Sequence, residues 1–489
     1  MLRRRLLLVS LIVCILGLYV FIYVVGVFKV KNAEEVVSVR TFGGGGEDVF
    51  YYVFPTTRGE LLALGYTKSE EFVVDGDADA LIVSFDKELN IRYWRTFSIG
   101  LDEALFRATQ LKDYICAVGW AVDGSDYYGL IVFVNKNGNI VSKRAIPSST
   151  FMDVEPFGEK LLVAGSISVR GDADFFLVIL NGVVIERNIT FGFGDSKDIL
   201  YSVYYYCGSI YCVGKRIRTS DLKQEVFIAK LSEEGAILWN RTLREDYWGR
   251  IGYSDLIIYE DRIYISILRE RLTEEGNLIC WESDIACFDL QGNALWNKTF
   301  SSNVELNAIG MYIDKFGIIY LAGEIINFDL NPIQQLFLAK LDENGTVIYN
   351  ETLAPFEGNI GTIGSSIYID ECGFMYIVGS NVDLNIGRIE DAFILKLGKD
   401  TDNDGITDFY EELYGTDPTK IDTDGDGFSD GIEVIQGTNP LDPNDYPSTR
   451  LENEKQFLLV IIIGVVLVSI LLLVLRKSIL RISSIKRDV

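Results

Sequence analysis

The chain has 489 residues, with 45 basic and 70 acidic side chains and no histidine. That length allows more than one domain and a large core, and a net charge of −25 repels nucleic acid, so no nucleic-acid partner is expected. The missing histidine removes the commonest general base, Ser-His and Cys-His nucleophile activation, and histidine metal ligation; carboxylate and lysine chemistry stay open.

Residues 6–28 carry no charge and follow Arg3, Arg4 and Arg5. At ~1.5 Å per residue the stretch can cross a hydrocarbon layer of roughly 30 Å. It is longer than a signal-peptide core and lacks a clear small-x-small cleavage site before Lys29, so residues 1–31 are expected to form a cytoplasmic N-terminus with an uncleaved anchor.

Residues 36–398 repeat one pattern. An apolar run ends in Gly or Ser at Gly65, Gly119, Gly165, Gly214, Ser266, Gly323 and Gly379, with spacings of 54, 46, 49, 52, 57 and 56 residues. A second strand follows each marker, as in Ala80–Asp86 and Phe337–Asp342. A Gly-bearing turn then leads to a third, as in Gly235–Trp239 and Gly292–Trp296. Short strands punctuated by turns argue for antiparallel sheet, and a period near 50 with about four strands per unit predicts a β-propeller.

The seventh unit stops at Gly398 without its last strand, while Val36–Gly43 looks like the missing piece. The fold expected is therefore all-β: a seven-bladed propeller closed by an N-terminal strand, with no free sheet edge. The acidic residues that open the strand after each marker (Asp79, Asp174, Glu225, Asp391) are expected to cap strands or turns rather than bind an ion. Asp391-Ala-Phe-Ile-Leu-Lys-Leu397 carries the rhythm of the bacterial and archaeal SBBP repeats, and the propeller region resembles that family. The resemblance implies the fold and leaves function open.

Six of the seven cysteines lie beyond the first span; Cys207 and Cys212 flank a tight turn and are the better candidate disulfide, the alternative being two buried thiols. Asn188, Asn240, Asn297, Asn344 and Asn350 begin Asn-x-Thr sequons, compatible with a glycoprotein, although three recur at one place in the repeat.

Residues 399–446 change character. Asp400, Asp402, Asp404, Asp408 and Glu411 occupy positions 1, 3, 5, 9 and 12 of a loop with Gly405 at position 6; Asp422, Asp424, Asp426, Asp430 and Glu433 repeat the spacing 22 residues later. Alternate carboxylates on a tight loop converge on one point, and a hard cation such as Ca²⁺ takes six to eight oxygens. The predicted ligands are these ten carboxylates with the backbone carbonyls of Ile406 and Phe428 at position 7. Gly415-Thr-Asp-Pro418 and Gly437-Thr-Asn-Pro440 then allow only one short helix after each loop. Loops and breakers together resemble thrombospondin type 3 calcium repeats, which implies a calcium-stiffened connector, here read as a stalk.

Residues 457–475 form a second apolar stretch, and 476–489 a basic tail with Arg476, Lys477, Arg481, Lys486 and Arg487. The positive-inside rule places both termini in the cytoplasm and the acidic middle outside, giving a cell-membrane protein with two transmembrane helices. A surface protein or glycan is the expected partner. The functional expectation is a cell-surface binding or scaffold protein. The alternative is a propeller enzyme, either a polysaccharide lyase or hydrolase, or a quinone-dependent dehydrogenase suggested by the Gly345–Tyr349 turn.

Overall fold

The computed structural model describes residues 34–447, apart from 75–77, 100–101, 170–171, 193–195, 222, 248–250, 273–277, 301–304, 328–332, 357–359 and 386–387. Two compact units divide the chain, the second consisting of residues 400 onward with Glu371–Gly373.

The first unit is a ring of seven four-stranded antiparallel sheets. Six blades follow chain order. The seventh is completed by Val36–Phe42, which pairs antiparallel with Arg388–Leu397 (Thr41 opposite Phe393, Phe42 opposite Ala392). The N-terminal strand therefore closes the ring as expected, supplying hydrogen bonds that the last blade's edge would otherwise lack.

The inner strands are Asp48–Pro55, Asp102–Leu111, Ser149–Phe157, Ser196–Tyr206, Ile251–Tyr259, Glu305–Ile313 and Ile360–Ile369. Each neighbours the inner strands of the adjacent blades, which places them around the axis. The markers read from the sequence lie one strand further out. The core lies mainly between blades. Leu62, Leu64 and Ile82 of the first blade pack against Leu105, Leu130 and Val132 of the second, and equivalent clusters join the blades that follow. Each such side chain, removed from water, contributes about 1.5–3 kcal/mol.

The recurring marker glycine has a steric cause. Six inner strands carry a β-bulge at the same height, with the register shifting between Phe50 and Tyr52, Leu105 and Arg107, Phe151 and Asp153, Leu200 and Ser202, Ala308 and Gly310, and Gly364 and Ser366. The bulge pushes a backbone carbonyl onto the neighbouring strand. A Cβ on Gly119 would come within 1.9 Å of Ala104 O, and one on Gly65 within 1.7 Å of Val49 O. Only glycine fits there. In the fifth blade the shift lies earlier, between Ile251 and Ser254, and the marker is Ser266.

The Gly-turn and Trp rhythm latches neighbouring blades. Trp296 lies against the next blade's turn, its indole N–H donates to Glu343 O at 3.0 Å, and a Cβ on Gly345 would meet its ring at 2.7 Å. Trp239 repeats this on Gly292 and Leu290 O.

Two expectations are corrected. Cys207 and Cys212 are not bonded: both are thiols, with Cys212 in the core and Cys207 exposed. The hairpin pairs Val203 with Cys212 and Tyr206 with Ser209, so Cys207 sits in the turn itself rather than across a strand from Cys212. The two-anchor membrane protein with cytoplasmic termini is not supported either. Among the described residues no helix is long and apolar enough to cross a membrane, and the only helices have seven residues each. Residues 6–28 and 457–475, where the spans were expected, lie outside the described residues.

Candidate functional site

The second unit is built from two copies of one small device. In the first, Asp400 Oδ1 accepts the Asn403 N–H at 2.8 Å and Oδ2 the Gly405 N–H at 3.1 Å. In the second, Asp422 accepts from Gly425 and Gly427 at 2.7 and 2.8 Å. These bonds curl the loop around its first carboxylate. The curl needs left-handed backbone at positions 4 and 6, where Asn403 (φ 61°), Gly405 (φ 99°), Gly425 (φ 81°) and Gly427 (φ 102°) stand.

Inside the curl, Asp402 Oδ1 accepts from Asp404 N at 3.2 Å and Asp404 Oδ1 from Ile406 N at 3.0 Å; Asp424 and Asp426 match them on Asp426 N (3.1 Å) and Phe428 N (2.9 Å). One carboxylate oxygen from each of Asp400, Asp402 and Asp404 lies within 4.8 Å of the others, and the same holds for Asp422, Asp424 and Asp426. Both triads are spaced to hold a metal ion.

Each loop runs into a short helix that delivers the last acid. Thr407 caps α1 (Asp408–Tyr414) by accepting from Tyr410 N, and Ser429 caps α2 (Asp430–Gln436) by accepting from Ile432 N. Gly415 and Gly437 end the helices in left-handed backbone, so a single turn or two is all the glycine and proline allow. This puts Glu411 and Glu433 in the first helical turn, fully buried. Thr416 Oγ1 donates to Glu411 Oε1 at 3.4 Å and Thr438 Oγ1 to Glu433 Oε1 at 3.3 Å.

What is left over points to an ion. Asp402 Oδ2, Glu411 Oε2, Asp424 Oδ2, Asp426 Oδ2 and Glu433 Oε2 are buried with no hydrogen-bond partner among the described residues. A buried carboxylate oxygen without a partner is costly unless a cation meets it. Burial, with the charges of Asp402 and Asp404 behind it, pushes the Glu411 carboxyl up to about 8. Burial and the charges of Asp426 and Asp424 take Glu433 to about 7. Burial raises Asp404 to about 6, against the N–H groups of Ile406 and Gly431.

Two predicted ligands have another task. The Asp408 carboxylate takes Thr401 N (2.7 Å) and Thr401 Oγ1 (2.8 Å), and Asp430 takes the same groups of Thr423 at 2.9 and 2.6 Å. Position 9 thus ties the loop's start to the helix. At position 7, Ile406 is buried and the Phe428 ring stacks on Tyr446 at 6.0 Å.

The sequence reading did not reach a second cluster, on the inner strands of the propeller. Arg107 donates from Nη2 to Asp255 Oδ2 at 2.6 Å and stands 4.4 Å over the Tyr52 ring. Ser202 Oγ bonds Asp153 Oδ2 (2.8 Å) and Asp255 Oδ1 (3.2 Å), and Val203 N donates to Asp153 at 2.8 Å. Glu155 is enclosed by protein yet partly reached by solvent, and burial followed by the charge of Asp153 raises its carboxyl well above the usual range. Burial also raises Asp153, against the pull of Arg107. One signal was available in the sequence: Ser266, which pairs with Asp255, is the single marker that is not glycine.

The acids that open the third strands lie against nearby backbone or cations. Asp79 accepts from Val74 N, Glu225 pairs with Arg216 and Arg218, and Asp174 and Asp391 each have their Oδ1 against the backbone of a glycine, Gly192 and Gly43.

The family model described as Bacterial TSP3 repeat matches residues 400–421 and 422–443, one copy per loop and helix. The tandem repeats are TSP3 repeats. TSP3 repeats bind calcium. No curated protein matches the chain. Among solved structures, the extracellular domains 1-2 of Drosophila Semaphorin 1b are 7% identical (74% of this chain and 87% of that one covered, TM-score 0.45). A protein of unknown function from Dyadobacter fermentans is 11% identical (74% and 98%, TM-score 0.46), and the β-propeller domain of the Trilobed protease from Pyrococcus furiosus 12% (71% and 93%, TM-score 0.40).

Proposed function

We propose that this protein is a binding or scaffold module whose propeller presents a ligand-binding face and whose TSP3 segment is stiffened by two calcium ions. The observation that carries the calcium reading is the set of five buried, unpartnered carboxylate oxygens inside two loops of TSP3 spacing. In each loop the ion would be held by the acids at positions 1, 3, 5 and 12 and the carbonyl at position 7 (Ile406, Phe428). Asp408 and Asp430 would reach it only through water or by sharing an oxygen with threonine. Extracellular calcium modules bind at ~10⁻⁴–10⁻³ M, which suits a permanently filled structural site. The SBBP resemblance of the Asp391–Leu397 strand agrees with a repeat-built binding scaffold.

The experiment is a pull-down with the full-length chain in calcium and in chelator, with every retained protein or glycan identified and its binding repeated with purified components. A defined partner that binds directly supports the module. Calcium titration of the same sample should count two ions, and a count of zero would remove the stiffened segment from the reading.

A second reading, an enzyme acting on polysaccharide, is supported by the axial cluster of Asp153, Glu155 and Asp255 around Arg107, where burial raises the Glu155 and Asp153 carboxyls while Asp255 pairs with the guanidinium. Release of reducing ends from a polysaccharide panel, lost in Glu155→Gln, would favour it over the binding module.

A further inference from the structure

A repeat makes blades alike, so the places where they differ carry information. Counted from the hairpin that joins the two innermost strands of each blade, one register places Tyr52, Arg107, Asp153, Ser202, Asp255, Gly310 and Ser366. The register before it is small or apolar in six blades, with Phe50, Leu105, Phe151, Leu200, Ala308 and Gly364. A cation and two acids at the first of these registers, with Arg107 of one blade paired to Asp255 of another, are unneeded for closing a propeller.

Arg107 also lines a cavity of about 300 Å³ together with Tyr51, Phe106, Met152, Ile363 and Ser365. Tyr51, Phe106, Met152 and Ser365 are the extra residues of four bulges, so the distortion common to the inner strands is what turns these side chains toward one space. Tyr51 and Phe106 meet at 4.9 Å and 44°, forming an aromatic corner.

We propose that this cavity is a binding site for one neutral, hydroxyl-rich ring, the size of a single sugar residue. The inference rests on the binding-module reading and names its site and ligand class. The volume lies at the lower end of ligand pockets, enough for one ring. The aromatic corner offers flat apolar faces to ring carbons, while Arg107 and Ser365 supply donors and an acceptor for hydroxyls. Arg107 is held by Asp255 and Tyr52, so little freedom is lost when a ligand meets it. Charge favours a neutral ligand: a cation would meet the Arg107 guanidinium that lines the cavity, and an anion would find that guanidinium already neutralised by Asp255.

The test is titration of the full-length chain, by calorimetry and saturation-transfer NMR, with the methyl glycosides of glucose, galactose and mannose, with glucuronate and with glucosamine. We expect at least one neutral glycoside to bind, Phe106→Ala to weaken it about tenfold, and Leu238→Ala on the outer rim to leave it unchanged. Thermal melts establish that each variant folds, and Tyr51→Ala serves if Phe106→Ala does not. The site is refuted if no neutral glycoside binds up to about 20 mM, if glucuronate or glucosamine binds more tightly than all of them, or if the aromatic variants bind as well as wild type. A partner captured directly while every glycoside fails refutes the cavity site and leaves the module standing. Failure of both removes the module as well.

Discussion

Asp404 of the first loop accepts, through Oδ2, the backbone N–H of Gly431 at 2.8 Å, so an acid of one calcium loop caps the helix of the other. Ser429 reinforces the contact by donating to Asp404 O at 3.4 Å, and a Cβ on Gly431 would lie 2.5 Å from that oxygen. Asp404→Ala is therefore expected to weaken calcium at both loops, whereas Asp422→Ala, whose carboxylate bonds Gly425 and Gly427 of its own loop, should act mainly on the second. A coupling of about 1–3 kcal/mol would appear as a 5- to 150-fold loss at the second site in calorimetric titration. An unchanged second affinity in Asp404→Ala would show that the two loops bind independently.

Protons should compete with calcium. Metal-binding carboxylates must be ionised, and without the ion Glu411 and Glu433 hold protons up to about pH 8 and 7. As pH falls from 8 to 6 the apparent calcium affinity should drop. Near pH 7 binding should release protons, seen as a dependence of the calorimetric enthalpy on buffer ionisation. Glu411→Gln should abolish most of that release at the first loop.

Removing calcium should open the segment locally. Lys420 lies between the two loops and its side chain is exposed, paired only with Asp417 at 2.7 Å among the described residues. Without the ions, like charges repel within each loop and little apolar burial opposes opening. Trypsin should cut after Lys420 about tenfold faster in chelator than in calcium. The propeller's own melting should not change.

The marker glycine can be tested directly. Gly119→Ala places a methyl group 1.9 Å from Ala104 O, and that atom belongs to backbone that cannot swing aside. Overpacking of this kind should destabilise the propeller by about 3 kcal/mol, read as a shift of the denaturation midpoint. Gly158→Ala, at a turn with open space (φ 61°), is a control limited to backbone strain and should cost about 1 kcal/mol.

Arg107→Ala would leave Asp255, with Asp153 and Glu155 nearby, without its cation. Breaking a buried pair from one side typically costs about 3–5 kcal/mol. The double variant Arg107→Ala/Asp255→Ala should recover part of the loss, and a double-mutant cycle measures how much.

The calcium loops were legible because their chemistry is local. Twelve residues contain every proposed ligand, and backbone turns at Asn403 and Gly405 bring Asp400, Asp402 and Asp404 together without help from distant chain. The blades were legible for a related reason: a bulge that recurs in the inner strands demands a glycine on the next strand, and that demand is written as a period near 50. Val36–Phe42 was recognisable as the closing strand because it resembles the outer strands of the other blades. Three things depended on tertiary structure. Asp408 and Asp430 turn to Thr401 and Thr423 because the cap at position 8 starts the helix there, and spacing alone does not encode that direction. Cys207 falls in a turn whose register places Cys212 opposite Val203. Arg107 and Asp255 are 148 residues apart in sequence, and only ring closure carries their strands to one axis, where burial makes an exposed-looking charge into half of a pair. Local spacing determines the loops and the repeat, and closure of the ring determines the channel.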